Sequence, residues 1–419
     1  MTPEPLQSRS VNSLHASSGT VRSLADGNHA SVISLIQKLV RMPTRGGIDS
    51  CEPIMDYVTQ WLAERGLPSR RLYDTATGRA VALVCDITGC HPGPRYVLNA
   101  CLDTAPFGDA TSWQHAPTSG ITENGWLYGR GSADSKAAIA IFMHIATHLH
   151  KATSQMHGSL TLLFDADEHT GNFGGAKRYF GAPDTPRDVS GVMIGYPGTD
   201  ELVIGGRGFL RAELTTRGEA GHTGSLRTAD NSNAVEKAAE LVRLISNQRT
   251  PGPIDPVLEL PPKITVTNIA GGVGYSIVPD SCTIGIDVRL TTDFGEASGK
   301  NITETAVAHV DERWLSSALP TTVAFHESWP AYRLGENSSV RAALTCAAEH
   351  HLKKRVPAKV AGPSNIGNYL AKLGIDATAG LGVRYEALHG TNERIELVTI
   401  PIIQAIYHEA VLKLLKAIV

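Results

Sequence analysis

The sequence has almost no excess of charge. Its 38 Lys and Arg stand against 41 Asp and Glu, for a net charge of -3. That near balance gives no electrostatic case for nucleic acid or an anionic membrane as a partner. Cysteine is sparse: Cys51, Cys85, Cys90, Cys101, Cys282 and Cys346 share no framework spacing. In a chain this long they are expected to be reduced thiols of a cytoplasmic protein. No apolar run approaches the ~20 residues of a membrane span. The most apolar helix, expected over 137–149, is interrupted by His144 and His148. Residues 1–26 lack the apolar core of a signal peptide and are rich in Ser, Thr and Asn, so a flexible N-terminal arm is expected. There is no P-loop and no nucleophile elbow, and Gly129-Arg130-Gly131 lacks the third glycine of a dinucleotide fingerprint. A nucleotide role is excluded.

What is present fits two domains, the natural division of 419 residues. Apolar stretches at strand length (80–87, 95–101, 159–164, 191–195) alternate with helical spacing at 31–40, 54–62 and 135–150. This alternation predicts an α/β fold, a mostly parallel sheet flanked by helices, over 27–206 and again over 319–419. Between them, 207–318 reads strand, helix, strand, strand, helix: a smaller inserted α+β domain. The strand expected at 321–325 and the helix expected at 366–373 return the chain to the larger domain.

The stretch 98–137 runs from an apolar strand through a Gly- and Pro-rich loop to Asp134-Ser135-Lys136. It places Cys101, Asp103 and Asp134 near one strand edge, where open α/β sheets build their sites. Asp165-Ala166-Asp167-Glu168-His169 follows another strand directly. Its carboxylates would repel one another at low dielectric unless a cation relieved them; a solvated turn before Gly171 is the plainer alternative. His389 lies in a loop where Thr391 or Asn392 could simply cap the last helix. His144 and His148 have ligand spacing, but no Glu stands next to His144 as in a zincin, and their face is expected to be exposed. His222 alone is a histidine in a glycine-rich loop.

Together these segments resemble, in order and from about residue 30 onward, the di-zinc amidohydrolase family of aminoacylase, acetylornithine deacetylase, succinyl-diaminopimelate desuccinylase and glutamate carboxypeptidase. The resemblance rests on 98–106 (Leu-Asn-Ala-Cys-Leu-Asp-Thr-Ala-Pro), 129–136 (Gly-Arg-Gly-Ser-Ala-Asp-Ser-Lys) and 167–169 (Asp-Glu-His). It continues through 218–224 (Gly-Glu-Ala-Gly-His-Thr-Gly), 233–235 (Asn-Ala-Val), 278–280 with 287–289 (Val-Pro-Asp, Asp-Val-Arg) and 388–393 (Leu-His-Gly-Thr-Asn-Glu). It implies that 27–206 plus 319–419 is a catalytic domain and 207–318 a lid and dimerisation domain. It further implies Asp134 as the ligand bridging two zinc ions, Glu168 as general acid/base and His389 as a ligand. His222 would reach from the lid, often of a partner subunit, to polarise the scissile carbonyl. Arg289 would hold a substrate carboxylate, or else pair with Asp287.

The sequence departs from its relatives at several ligand positions. Cys101 stands for a histidine, Tyr196 for an acid, His169 for a glutamate, Ser276 for a lid asparagine and Asn365 for an aspartate. Ser276 and Asn365 imply an altered substrate pocket. Asp103 normally orients the histidine two residues earlier, and Cys101 leaves it without that task. One site keeps Asp134, His169 and His389, while the other would rely on Cys101 and a neutral Tyr196, a poor ligand. One zinc is expected rather than two, with a metal-free protein left open. Three readings follow. The first is metal-assisted hydrolysis of an amide in an N-acyl amino acid or small peptide-like substrate with a carboxylate, by a homodimer formed through the inserted domain. The second is a repurposed enzyme using Cys101 and Glu168 for acyl transfer, amide formation or elimination. The third is a non-catalytic binding protein.

Overall fold

The computed structural model describes residues 13–225, 233–314 and 319–417. In chain order these form α1 (Ser13–Val40), α2 (Glu52–Ala63), β1 (Ser69–Tyr73), β2 (Ala80–Thr88), β3 (His91–Cys101), α3 (Ala137–Lys151), β4 (His157–Asp165), α4 (Gly174–Gly181) and β5 (Val189–Ile194). Next come β6 (Gly208–Arg217), α5 (Ala234–Asn247), β7 (Lys263–Gly271), β8 (Ser281–Leu290), α6 (Glu296–Arg313) and β9 (Thr322–Trp329). The chain closes with α7 (Ser339–Leu352), α8 (Ile366–Lys372), β10 (Ala377–Ala379) and α9 (Ile400–Leu414). It divides into two units: the described parts of 1–204, 334–359 and 374–419, and those of 205–333 with 360–373.

The larger unit is built on a six-stranded sheet of order β1-β2-β4-β3-β5-β10. β4, β3, β5 and β10 run parallel, and β2 and β1 add on antiparallel. β4 is buried from Gly158 to its end and β3 from Tyr96 onward, as expected of strands covered on both faces. Their register sets Cys101 beside Asp165. Both chains therefore leave the sheet at the same edge, and that pairing positions the site.

Four expectations need correction. Residues 13–26, expected in a flexible arm, are part of α1, whose Val21, Ala25, Val32, Ile36 and Leu39 form a fully buried stripe at helical spacing. Only 1–12 of that arm lie outside the described residues. The strand expected to return the chain to the larger domain is β9, which pairs antiparallel with β6 in a sheet of order β7-β8-β6-β9; 360–373, with α8, also belongs to the smaller unit. The expected boundary at 318/319 touches 315–318, which lie outside the described residues. An alternating strand says which face is buried but not which sheet it joins. His144 is buried, not exposed, with Nδ1 2.8 Å from the Ala140 carbonyl and Nε2 2.9 Å from Ser31 Oγ. Finally, Leu397–Leu414 is long and apolar enough to span a membrane by composition, yet 67% of it is buried inside the unit, as in a core helix.

The smaller unit repeats the same logic on one face only. β8 alternates strictly, and its inward Cys282, Ile284, Ile286, Val288 and Leu290 pack with α5 and α6 residues such as Leu241, Ile245 and Val310.

The helical layer of the larger unit holds two imidazoles away from water. Burial pushes His144 down to about 4 and, with His148 nearby, His408 down to about 3. The unfolded chain protonates at about 6.5 and the folded one does not, so their stabilising effect is full above pH 6.5 and fades as pH falls. The expected loss is about 3 kcal/mol for each residue by pH 4. Neither ring nitrogen of His408 has a hydrogen-bond partner among the described residues. Urea unfolding of His408→Leu should therefore match or exceed the parent at pH 7 and show a shallower loss of stability between pH 6.5 and pH 4.

Candidate active site

Three loops meet at the C-terminal edge of β3 and β4. The first leaves β3: the Leu102 N–H donates to the Asp165 carbonyl at 2.6 Å, and the Thr104 N–H to the Thr44 carbonyl at 2.8 Å. It returns through Gly131, whose φ of +79 is left-handed and where a Cβ would lie 2.4 Å from Thr104 Cγ2, so only glycine fits. Asp134 and Ser135 then break the helical path into α3, and the Cys101 N–H donates to Ser135 Oγ at 2.7 Å. The buried Lys136 ammonium donates to the Met42 carbonyl at 2.8 Å, and burial lowers its pKa to about 8.

The second loop follows β4. The Asp165 carboxylate accepts from the N–H groups of Asp167 (2.8 Å), Gly175 (3.3 Å) and Ala176 (2.7 Å), folding the turn over itself. Burial and Asp103 nonetheless push the Asp165 carboxyl up to about 8. Asp103 accepts from the N–H groups of Glu168 (3.2 Å) and His169 (2.7 Å). It is thus not left without a task by Cys101. It shapes the 168–169 turn instead, with an oxygen 3.7 Å from His169 Nδ1.

The third loop carries His389 at a left-handed φ of +58, with Ala387 and Asn392 also at positive φ. It is held by a buried ion pair that reading the sequence missed. Arg130 Nη1 donates to Glu393 Oε2 at 2.5 Å, with side-chain exposures of 2% and 0%. Nη2 donates to the carbonyls of His389 and Gly390, each at 3.0 Å, and Nε to that of Pro106 at 3.1 Å. Glu393 Oε1 accepts the Ala133 N–H at 3.0 Å. The only signal was a lone Arg and a lone Glu inside two motifs 263 residues apart.

At the meeting point, Asp134 Oδ2 lies 3.0 Å from His389 Nε2 and 3.6 Å from His169 Nε2. Ligand atoms of all three residues fall within 4.8 Å of one another. Glu168 Oε2 lies 3.1 Å from His169 Nδ1, and its Oε1 accepts the Tyr196 hydroxyl at 2.8 Å. Burial opposes the Asp134 anion, but His169 and His389 outweigh it and hold its carboxyl below the usual range. Burial likewise opposes the His169 cation and is overridden by Asp103, Asp134 and Glu168, which raise it to about 11. Burial lifts Glu168 to about 7; His169 resists the rise, and Asp134 and Asp103 add to it. A carboxyl at that value can take up and give back a proton near neutrality.

The donor set fits one zinc-type cation. Asp134 Oδ1 and both ring nitrogens of His169 are buried with no aligned hydrogen-bond partner among the described residues. One oxygen and two imidazoles are an ordinary ligand set with room for a further ligand. The other expected pair differs. Tyr196 spends its hydroxyl on Glu168, while Cys101 comes within 4.8 Å of ligand atoms of Asp103 and His169. Burial, followed by Glu168, Asp134, Asp103 and Asp165, pushes the Cys101 thiol well up.

The remaining candidates lie in the smaller unit. His222 is exposed, with Nδ1 accepting the Gly224 N–H at 3.0 Å. Ser276 is exposed, and its carbonyl accepts the Thr223 N–H at 3.1 Å. Arg289 makes the Asp287 ion pair at 2.7 Å, donates to Ser364 Oγ at 3.0 Å, and lines a cavity of about 370 Å³ with Arg207 and Lys263. Asn365, expected at the substrate, is buried and caps α8: its Oδ1 accepts from the Gly367 N–H at 2.8 Å and the Tyr332 hydroxyl at 3.2 Å.

Comparison with known proteins places this arrangement, with residues 97–413 matching a single family. The chain belongs to peptidase family M20/M25/M40. It is 25% identical over 329 residues to the succinyl-diaminopimelate desuccinylase of Marinobacter nauticus, covering 77% of this chain and 84% of that one. Its fold is that of a Staphylococcus aureus tripeptidase, at a TM-score of 0.72 and 19% identity over 92% of this chain and 98% of that one. A Bacillus subtilis protein described as a dinuclear metal binding peptidase of the M20 family superimposes at 0.65, with 14% identity over 94% and 100% of the two chains. As an M20 family member the chain is an enzyme of the amidohydrolase and peptidase type.

Arg130→Met and Glu393→Gln should each cost about 3–5 kcal/mol, because each strands a buried partner. The double variant should recover part of that loss. Urea midpoints for the three proteins, with the parent, check both statements.

Proposed function

We propose that this M20 enzyme hydrolyses the amide bond of an N-acyl amino acid or small peptide-like substrate bearing a carboxylate. In this reading Asp134, His169 and His389 hold one divalent ion, zinc by choice of donors, and Glu168 is the general acid/base. The observation that carries it is the convergence of those three donors, two of them with buried atoms that have no aligned hydrogen-bond partner among the described residues, directly beside Glu168. A divalent ion there supplies Lewis acidity to the amide carbonyl and to the attacking water. Glu168 takes the water's proton and returns it to the departing amine, so the carboxylate ends the cycle as it began. Tyr196 donates to Glu168 Oε1 and fixes the carboxylate's orientation. Arg289, with Arg207 and Lys263 beside it, offers cationic donors for the substrate carboxylate. His222 supplies a donor for the scissile carbonyl.

Nothing favours Cys101 as a nucleophile: a thiol needs an electropositive setting to ionise, and this one faces carboxylates. A cytoplasmic homodimer through the smaller unit completes the reading. The dimer is supported by β7, an edge strand that exposes Ile269 and is followed by the exposed Val273, Tyr275 and Ile277.

Elemental analysis of protein purified without added metal should show a single ion per chain that is lost in His389→Ala. Glu168→Gln should keep the ion while kcat falls roughly 10²–10⁴-fold on the accepted substrate. Loss of two ions per chain in His389→Ala, or full turnover in Glu168→Gln, would contradict the scheme. Sedimentation should show a dimer for the parent and a monomer for the Val273→Glu/Tyr275→Asp double variant.

A further inference from the structure

We propose that α7 and α9, where they pack together, form a second divalent-cation site built by His350, His351 and Glu409, with Cys346 as a fourth donor that the Lys413 ammonium now holds beside the same carboxylate. The four donors lie in the larger unit and in none of the three loops around Asp134. Cys346 and His350 are one turn apart on α7, and Glu409 and Lys413 one turn apart on α9, so each pair shares a helix face. His350 Nδ1 lies 3.0 Å and His351 Nε2 2.9 Å from the same oxygen, Glu409 Oε2. Ligand atoms of these three residues fall within 4.8 Å of one another.

Two observations separate this cluster from a surface ion-pair network. The His351 side chain is only 5% exposed, yet its Nε2 has no aligned hydrogen-bond partner among the described residues despite its closeness to Glu409. A nitrogen and an oxygen held together without a proton aligned between them are what a shared cation satisfies. The Lys413 ammonium also sits 2.6 Å from Glu409 Oε1 and 3.1 Å from Cys346 Sγ. It marks a point from which one positive centre touches both the carboxylate and the thiol. Its side chain is 33% exposed and can leave for solvent.

One thiolate, two imidazoles and one carboxylate select a borderline-soft ion of the zinc class over magnesium or calcium. His350 and His351 close the last turn of α7, whose exposed carbonyls favour positive charge. On binding, the Cys346 thiol gives its proton to solvent and the sulfur–metal bond forms, while Lys413 withdraws still protonated. The ion would pin α7 to α9 and stabilise only the folded chain.

The test uses the full chain, stripped with chelator and titrated with Co²⁺, both as the parent and in a His169→Ala/His389→Ala background that silences the Asp134 cluster. Should that background fail to fold, differences from the parent carry the same information. The expected result is one equivalent in that background and two in the parent, with a thiolate-to-cobalt charge-transfer band in both. Cys346→Ser should abolish the band, and Glu409→Gln the equivalent. Lys413→Met should tighten binding by roughly fivefold, because the competing ion pair is gone. An ion-pair network gives the opposite pattern, since Lys413→Met would remove a cation and leave nothing to replace it. Unchanged Co²⁺ uptake in Glu409→Gln, or no tightening in Lys413→Met, overturns the proposal.

Discussion

The site depends on a guanidinium and a carboxylate kept out of water. Arg130 and Glu393 are buried almost completely, and removing two charges from solvent costs several kcal/mol per ion unless their remaining valences are filled. Here the three carbonyls of Pro106, His389 and Gly390 and the Ala133 N–H fill them. The Ala133 N–H adjoins Asp134, two of the carbonyls are those of His389 and its neighbour Gly390, and that of Pro106 ties in the loop that leaves β3. The pair therefore determines where both side chains point, and it holds the His389 backbone at a positive φ that an isolated loop would abandon. Desolvation penalises any arrangement that leaves either charge unpaired, so the loops have one low-energy way to meet.

A second constraint follows from the sheet. The register that places Cys101 beside Asp165 delivers Asp103, Asp165, Asp167 and Glu168 to one edge, where Asp134 joins them. Mutual repulsion at low dielectric must be relieved. Asp165 and Asp103 use backbone N–H groups for this, and Asp134 and Glu168 use the imidazoles of His389 and His169. His169 and Tyr196 stand where the sequence resemblance implies acids, and neither adds a negative charge to the cluster. Fewer anions match less cationic charge, which is the electrostatic ground for proposing one ion.

Much of this site could be read from the sequence because its signals are short and contiguous. The runs 129–136, 165–169 and 388–393 each carry their own chemistry, and Asp134, Glu168, His169 and His389 do converge. The rest depended on partners that a local pattern does not name. Arg130 and Glu393 are ordinary residues until the fold closes. Composition hid Val21 and Ala25 among polar neighbours, so the N-terminal part of α1 read as an arm. β9 and α8 have clear periodicity, but periodicity does not choose between two sheets. Asn365 sat at a position implying substrate, yet its side chain is spent on a helix cap.

The histidine and cysteine replacements make sense as one coupled change. A carboxylate as buried as Asp103, at 0% exposure, cannot be left without partners. With Cys101 in the strand, no imidazole stands two residues before it. The turn after β4 supplies one instead: His169 brings Nδ1 to 3.7 Å of Asp103, and the Glu168 and His169 N–H groups close on its oxygens. Where the resemblance implies an imidazole at the strand end, this chain has one in the turn. His169 Nε2 faces Asp134 at 3.6 Å, so one imidazole stands between Asp103 and Asp134 on a different piece of backbone. Reverting Cys101 alone to His would crowd two imidazoles onto one carboxylate, and reverting His169 alone to Glu would leave Asp103 facing another anion. The two positions are thus coupled through Asp103, which both of them face.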